Sequence, residues 1–372
     1  MPLSWLALLF VILGIAVAAL GDDDPLLKDL GRRNSISETI RVLSARYLGA
    51  ATKCLLADHF LWRHNIKTLQ TLVLLIYALN QTHGNTWSLL GITYNIALAL
   101  GCHIDPSSFG LGLIKCEERR RCWAGLMMLY TIQNTAMGNM DSQRLQHQVH
   151  LPADVNDIDL MADKICLSSV GATQMSYVLF KFRLYSISSG ICQQIFGPVK
   201  PSRDIVRALD HEITSEQRSW DTKYLSDSSE EVLPIHHIVN LNILYSYSHQ
   251  LLLLLHRPFF NRELTNTSYE DSLKSRNRCI DSALAMLDIH KMLCENPQFK
   301  PYKWFTAGLN SFHAFHAAVV LAAVWMDPDY RSHHRNIQDK LKETLTRFEG
   351  LVYRSTICEK ATPILSFLML GP

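Results

Sequence analysis

Between Thr68 and Gly138 the chain carries two almost wholly apolar stretches, Thr68 to Asn80 and Trp87 to Leu100, joined by Gln81-Thr82-His83-Gly84-Asn85. Each has the length and even apolarity of a buried helix, and so short a turn makes the two antiparallel neighbours. Gly101 suits the left-handed position that ends a helix, and Pro106 prevents the helix from resuming. A third helix then opens on Glu117-Glu118-Arg119-Arg120-Arg121-Cys122-Trp123. No clear alternation of apolar and polar residues marks a strand. Such a chain buries helix against helix, so the expected fold is all-α, a single large helical bundle.

The same spacing continues on both sides. Ser35 to Asp58 carries Ile36, Ile40, Leu43, Tyr47, Leu48 and Ala51 at steps of three and four, with Ser37 as its cap. Gln174 to Gln194, Ile238 to Arg257, Asp271 to Leu293 and Phe305 to Trp325 are further helices, and Leu341 to Tyr353 reads as a last surface helix. Arg257 precedes Pro258, a position that disfavours helical backbone. His256 and Arg257 would then stand at the negative end of that helix dipole. Ser226 to Glu231 reads as a solvated loop. No repeat or low-complexity linker divides the 372 residues, so one domain over 1–372 is expected, with the helices of 271–372 packed on what precedes them.

Met1 to Leu20 is an almost uncharged apolar run. Its length permits a membrane span, and Ala16-Val17-Ala18 imitates a signal-peptidase site. However, no Lys or Arg precedes it, and Asp22, Asp23 and Asp24 follow where an anchor would have basic residues. A buried core helix is the better reading. The nine cysteines are scattered and none stands in a C-x-x-C pair, as expected of reduced core thiols in a reducing compartment. Asn80-Gln81-Thr82 and Asn266-Thr267-Ser268 are sequons short enough to arise by chance.

An apolar fraction of 48% with 19% charged residues is that of a globular protein, and a net charge of +2 is too small to call for a polyanionic partner. Arg119 to Arg121 is the only dense basic cluster. Three successive side chains on a helix diverge, so they make no groove-reading surface. Glu117 and Arg121 are spaced for an i,i+4 ion pair and Trp123 for packing into neighbouring helices. The collar therefore reads as a lock, with phosphate binding by Arg119 or Arg120 as the alternative.

Asp154-Val155-Asn156-Asp157-Ile158-Asp159 lacks the glycine and closing glutamate of a calcium loop. Asp22 to Asp24 has no second acidic motif with which to hold magnesium as a terpene cyclase does. Both acidic stretches read as surface turns. His313 and His316 share a helix face, but nothing in the sequence extends them to a metal site. The side chains of His236-His237 and of His333-His334 are expected to diverge. No H-E-x-x-H, G-x-S-x-G, phosphate-loop or dinucleotide fingerprint occurs. No catalytic, cofactor or metal-binding residue is expected, and the chain is not read as an enzyme.

Several short segments in a fixed order carry a resemblance. Leu90-Gly91, Leu100-Gly101-Cys102-His103, Asp105-Pro106 and the Glu118-Arg119-Arg120-Arg121-Cys122-Trp123 run come first. Leu151-Pro152-Ala153-Asp154-Val155-Asn156-Asp157-Ile158-Asp159-Leu160 follows, then Leu254-Leu255-His256-Arg257-Pro258-Phe259. From about Leu3 to about Phe260 the chain resembles the middle homology region of fungal zinc-cluster transcription factors. The resemblance marks Glu117, Arg119, Arg120, Arg121, Trp123, Pro152, Asn156, Asp157, His256, Arg257 and Pro258 as its structural signature. The chain departs from the pattern at Ala124, where the family has a second aromatic. It departs again at Tyr130-Thr131, where an Asp-Arg pair is usual, and at Gly138-Asn139-Met140, where Gly-Arg-Pro is usual.

The closely spaced cysteine pairs of a zinc cluster do not occur in this sequence. Zinc is expected only in such a DNA-binding module, outside this chain, and no other cofactor is implied. The resemblance implies a nuclear regulator of transcription, of the kind that controls a metabolic or secondary-metabolite gene cluster. It would reach DNA indirectly or through a segment absent from this sequence. A protein partner, a second copy or a small-molecule effector would address it, and a membrane is disfavoured. The rival reading is a soluble or membrane-anchored helical enzyme or binding protein.

Overall fold

The computed structural model describes residues 2–27, 36–82, 86–137, 149–161, 164–165, 171–197, 199–225, 233–260, 269–327 and 334–370. Cys166, His333, the 138–140 and 266–268 segments and the 226–231 loop lie outside the described residues. Among the described residues there are twelve α-helices of thirteen residues or more and no strand, only an isolated antiparallel bridge between Leu160 and Ile165. The all-α expectation holds.

The first helix, α1 (Leu3–Ala19), buries Ser4, Ala7, Val11, Gly14 and Val17 on one stripe. These residues are small, so α2 (Ile36–Ala57) approaches closely: a Cβ on Gly14 would stand 2.9 Å from Leu48 Cδ2. Ser44 Oγ donates to the Gly14 carbonyl at 2.8 Å across this contact. The apolar run at the start of the chain is therefore a packed helix. Ser37 does not cap α2. It lies inside the first turn, and its hydroxyl donates to Asp22 Oδ1 at 2.9 Å.

Asn65 caps α3 (Ile66–Asn80) in a capping box with Thr68. After α4 (Trp87–Ala99), Gly101 adopts φ +71, the left-handed value for which glycine is suited, and Pro106 opens a single tight turn, Pro106–Phe109. The third helix of the sequence reading is α5 (Leu113–Met137). It is followed by α6 (Ser176–Ile195), α7 (Arg203–Tyr224) and α8 (Ile235–His256). Trp123, Leu126, Leu129, Leu184, Ile213, Trp220, Leu244 and Tyr247 from these helices fill one large core. Each such fully buried side chain contributes roughly 1.5–3 kcal/mol.

A second core joins α9 (Tyr269–Glu295), α10 (Ser311–Trp325), α11 (His334–Leu351) and α12 (Thr356–Leu368). Leu253 of α8 belongs to this second core while its neighbour Leu252 belongs to the first. The stretches Ile235–Phe259 and Pro297–Trp325 are long and apolar enough to cross a membrane, but both are mostly buried against other helices.

Arg257 keeps helical backbone (φ −53, ψ −40) despite preceding Pro258, and α8 passes into a tight turn, Arg257–Phe259. The helix expected last begins at His334 rather than Leu341, and α12 follows it. α7 was not legible at all. The rings of His236 and His237 do not diverge; their centroids are 4.1 Å apart.

Neither acidic stretch is merely a surface turn. Asp22 receives Lys303 Nζ at 2.7 Å and Arg354 Nη1 at 3.0 Å. Asp154 Oδ1 accepts the hydroxyls of Thr173 and Ser176, and its Oδ2 pairs with Lys223 at 2.9 Å.

Candidate effector cavity and arginine latch

The three arginines at the start of α5 diverge and are each taken. Arg119 donates to the Leu100 carbonyl at the end of α4 at 2.8 Å, where the helix dipole is negative. Arg120 grips Asp105 through Nε and Nη2 and reaches Glu117 Oε1 at 3.1 Å. Arg121 pairs with Asp157 at 2.5 Å, whereas its expected partner Glu117 stands 3.9 Å away. The i,i+4 pair is thus the weaker contact. Glu117 spends its second oxygen on the Ala153 amide at 3.1 Å.

Pro152 is buried beside this contact, and Asn156 takes the Gln174 amide on its side-chain oxygen at 3.0 Å. The hydrogen bond from Arg120 holds the Asp105 carboxyl well below the usual range. Together these residues latch the hinge and the Leu151–Leu160 loop onto α5. Arg120 is thus engaged through Nε, Nη1 and Nη2, and Arg119 through Nη1.

Trp123 is buried with its ring 6.0 Å from Tyr94. Tyr130, standing where an Asp-Arg pair was expected, packs edge-on against Trp87, Tyr94 and Tyr185. Aromatic packing takes the place of an ion pair there.

His256 forms a second clasp. Its Nε2 lies 2.9 Å from Asp210 Oδ2 on α7 and its Nδ1 lies 3.3 Å from Ser275 Oγ on α9. Arg278 donates to both Asp210 oxygens, at 3.1 and 2.7 Å. Burial raises the Asp210 pKa, but the bonds from His256 and Arg278 outweigh it and hold the carboxyl at about 2. The Ser-His-Asp order has the look of a hydrolase triad. Ser275 is only 2% exposed, however, and its hydroxyl also receives Arg203 at 3.0 Å, so no substrate reaches it. No sequence motif announced this cluster, because its members come from three helices. Arg257 itself is exposed.

His313 and His316 are each engaged by hydrogen bonds, His313 Nδ1 with Ser246 at 2.9 Å and His316 Nδ1 with Gln250 at 2.8 Å. Burial pushes the His316 imidazole down to about 4, with the Arg257 charge adding to it. Among the described residues no three His, Cys, Asp or Glu side chains converge as a metal site. Nearby, Lys181 is fully buried, with its Nζ 2.6 Å from the centroid of the Tyr247 ring and no hydrogen-bond partner among the described residues.

A cavity of about 300 Å³ lies where α1, α2 and the end of α3 meet the 303–310 turn and the start of α12. Gly14, Ile15, Leu48, Leu79 and Trp304 form apolar wall, and the exposed Ala45 and Gly49 stand at its rim. Ser44, Thr52 and Thr356 line it too, but their hydroxyls donate to the carbonyls of Gly14, Leu48 and Thr82. Among the described residues, Arg41 and Arg354 are its charged lining residues and no carboxylate lines it.

Gln81 connects this cavity to the backbone of the far helices. Its Oε1 accepts the Leu309 amide at 3.2 Å, whereas its buried Nε2 has no partner among the described residues. Leu309 belongs to a wide helical turn, Thr306–Asn310, that leads into α10. Gly308 is needed there, since a Cβ would meet Gln81 Oε1 at 2.5 Å.

The family model described as "Fungal specific transcription factor domain" matches residues 6–224. The chain belongs to that family. An uncharacterised transcriptional regulatory protein of Schizosaccharomyces pombe is 26% identical over 243 residues, 64% of this chain and 30% of its own length. A Zn(2)-C6 fungal-type transcription factor of Monascus ruber is 24% identical over 342 residues, 87% of this chain and 40% of its own. An aurofusarin cluster transcription factor of Gibberella zeae is 23% identical over 316 residues, 83% of this chain and 45% of its own. The chain thus spans less than half the length of each of these relatives. No solved structure matches it. The family match covers the arginine latch and most of the cavity wall, while Trp304, Ala307, Arg354 and Thr356 close the cavity from beyond it.

Proposed function

We propose that this chain is the effector-sensing, activity-controlling part of a fungal transcription regulator that works in the nucleus. It controls a metabolic or secondary-metabolite gene cluster, as the names of several relatives say of those proteins. DNA is reached through a zinc-cluster module in another segment or in a protein partner, since the helices described present no groove-reading surface. One observation carries the reading: the cavity spans the seam between the family-matched helices and the C-terminal ones, so its occupancy bears on how the two pack.

The test is a fusion of the chain to a heterologous DNA-binding domain in a fungal reporter strain. The fusion should change transcription from the cognate promoter, and a fluorescent tag should report nuclear accumulation. A fusion that reaches the nucleus, occupies the promoter and leaves transcription unchanged would overturn the reading.

A further inference from the structure

We infer that the cavity takes a small amphipathic molecule with an apolar body and an acceptor-bearing, anionic head such as a carboxylate, and that Gln81 relays its presence to α10. The inference rests on the effector-sensing reading and names the ligand's chemistry. The volume, about 300 Å³, equals that of about ten waters, enough for a medium-length acyl chain. Ile15, Leu48, Leu79 and Trp304 offer that chain an apolar wall.

The polar side of the lining selects the head. Among the described residues it holds two guanidiniums and no carboxylate, so it favours an anion and disfavours an amine. Arg354 is already spent on Asp22 and on the carbonyls of Ala18 and Leu20. Arg41, half-buried, is the lining cation that has no ion-pair partner among the described residues.

Gln81 supplies the second hold. Its amide cannot be reversed, because Oε1 accepts from the Leu309 N–H, so Nε2 remains a buried donor in want of an acceptor. A head-group oxygen at that wall completes the amide. The same side chain fixes the turn at Leu309, and Ser355 Oγ donates to the Ala307 carbonyl from the start of α12. Occupancy of the cavity therefore tightens the wide turn from which α10 departs.

The experiment is calorimetric titration of the intact chain with decanoate, decan-1-ol and decylamine, three probes with one body and three heads. Decanoate should bind saturably at one site and decylamine at least about tenfold more weakly, the worth of one charge-assisted hydrogen bond. Arg41→Gln should weaken decanoate by a similar factor and leave decan-1-ol unchanged.

Gly49→Leu is the blocking variant. A Cβ at that position meets nothing within 4 Å, so the chain still folds while the side chain stands across the rim. It should abolish decanoate binding with the melting temperature held. Equal binding of decanoate and decylamine, no binding of any probe, or undiminished binding to Gly49→Leu overturns the inference. If decanoate binds as described but the fusion reporter ignores it, the site stands and the effector-sensing reading falls.

Discussion

Arg120 holds Asp105 through two parallel N–H···O bonds, of 3.0 and 2.8 Å, across the hinge that separates α4 from α5. The two side chains are 14% and 7% exposed, so the pair works in a poorly hydrated setting where a lone charge is costly. Asp105→Asn or Arg120→Gln is predicted to destabilise the chain by about 3–5 kcal/mol. Arg120→Lys should fail to restore the loss, because an ammonium cannot make the two-pronged contact. Urea denaturation reads both; a Lys variant as stable as the parent would refute the two-pronged account.

His290 sets a pH dependence. Burial and the nearby Arg347 push its imidazole down to about 3, and its Nε2 lies 3.2 Å from Ser311 Oγ. Its folded pKa is lowered, so below the unfolded value of about 6.5 the unfolded chain takes up a proton that the folded chain refuses. Stability contributed at neutral pH is therefore lost as the pH falls from about 6.5 towards 3, at up to about 1.4 kcal/mol per pH unit. In His290→Leu the slope of stability against pH in that window should drop by one proton. An unchanged slope would place the titration elsewhere.

Asp210 follows the same linkage at lower pH. Its carboxyl is held at about 2 by His256 and Arg278 against the cost of burial. The stability this supplies is complete above the unfolded carboxylate pKa, about 4, and disappears as the pH falls through 2. Asp210→Asn should cost stability at pH 7 and level the curve between pH 4 and 2. A variant whose loss is the same at pH 2 and pH 7 would count against the linkage.

Lys181 is a buried amine beneath Tyr247 whose pKa burial drives well below the ordinary lysine value. Lys181→Met keeps the length and removes a polar group with no hydrogen-bond partner among the described residues. It is predicted to raise stability by about 1–3 kcal/mol, the typical cost of such a group. A loss of stability would mean that the ammonium is charged and held by the ring.

Gly308 touches Gln81. The Cβ of Gly308→Ala would meet Gln81 Oε1 at 2.5 Å and the Gln81 carbonyl oxygen at 2.8 Å. A cost of about 1–3 kcal/mol is expected for such overpacking. Adding Gln81→Ala should recover only part of it, since the backbone oxygen remains. Full recovery in the double variant would show that the clash lies with the side chain alone.

The helices that were legible in the sequence are those with a dense apolar face. α3, α4 and the Gly101 hinge could be placed because local propensity and burial agree there. α7 escaped notice because its buried stripe is only Val206, Ile213, Trp220 and Tyr224, diluted among charged residues. α12 carries Pro363 within its length, a residue that argues against a helix interior. The arginine run signalled a lock, but its partners Asp105 and Asp157 are brought in by loops, which periodicity does not describe. The Asp210–His256–Arg278 clasp and the cavity were illegible for a simpler reason. Their members are up to some 340 residues apart, and only the tertiary fold brings them together.

The clamp on α1 orders events during synthesis. Arg354 holds the carbonyls of Ala18 and Leu20 and the carboxylate of Asp22, which it follows by 332 residues. A ribosome releases α1 and its partners α2 and α3 well before this contact. Until it forms, α1 is held by α2 and α3 alone, so the closure by Arg354, which spans 332 residues, is the late step in its docking.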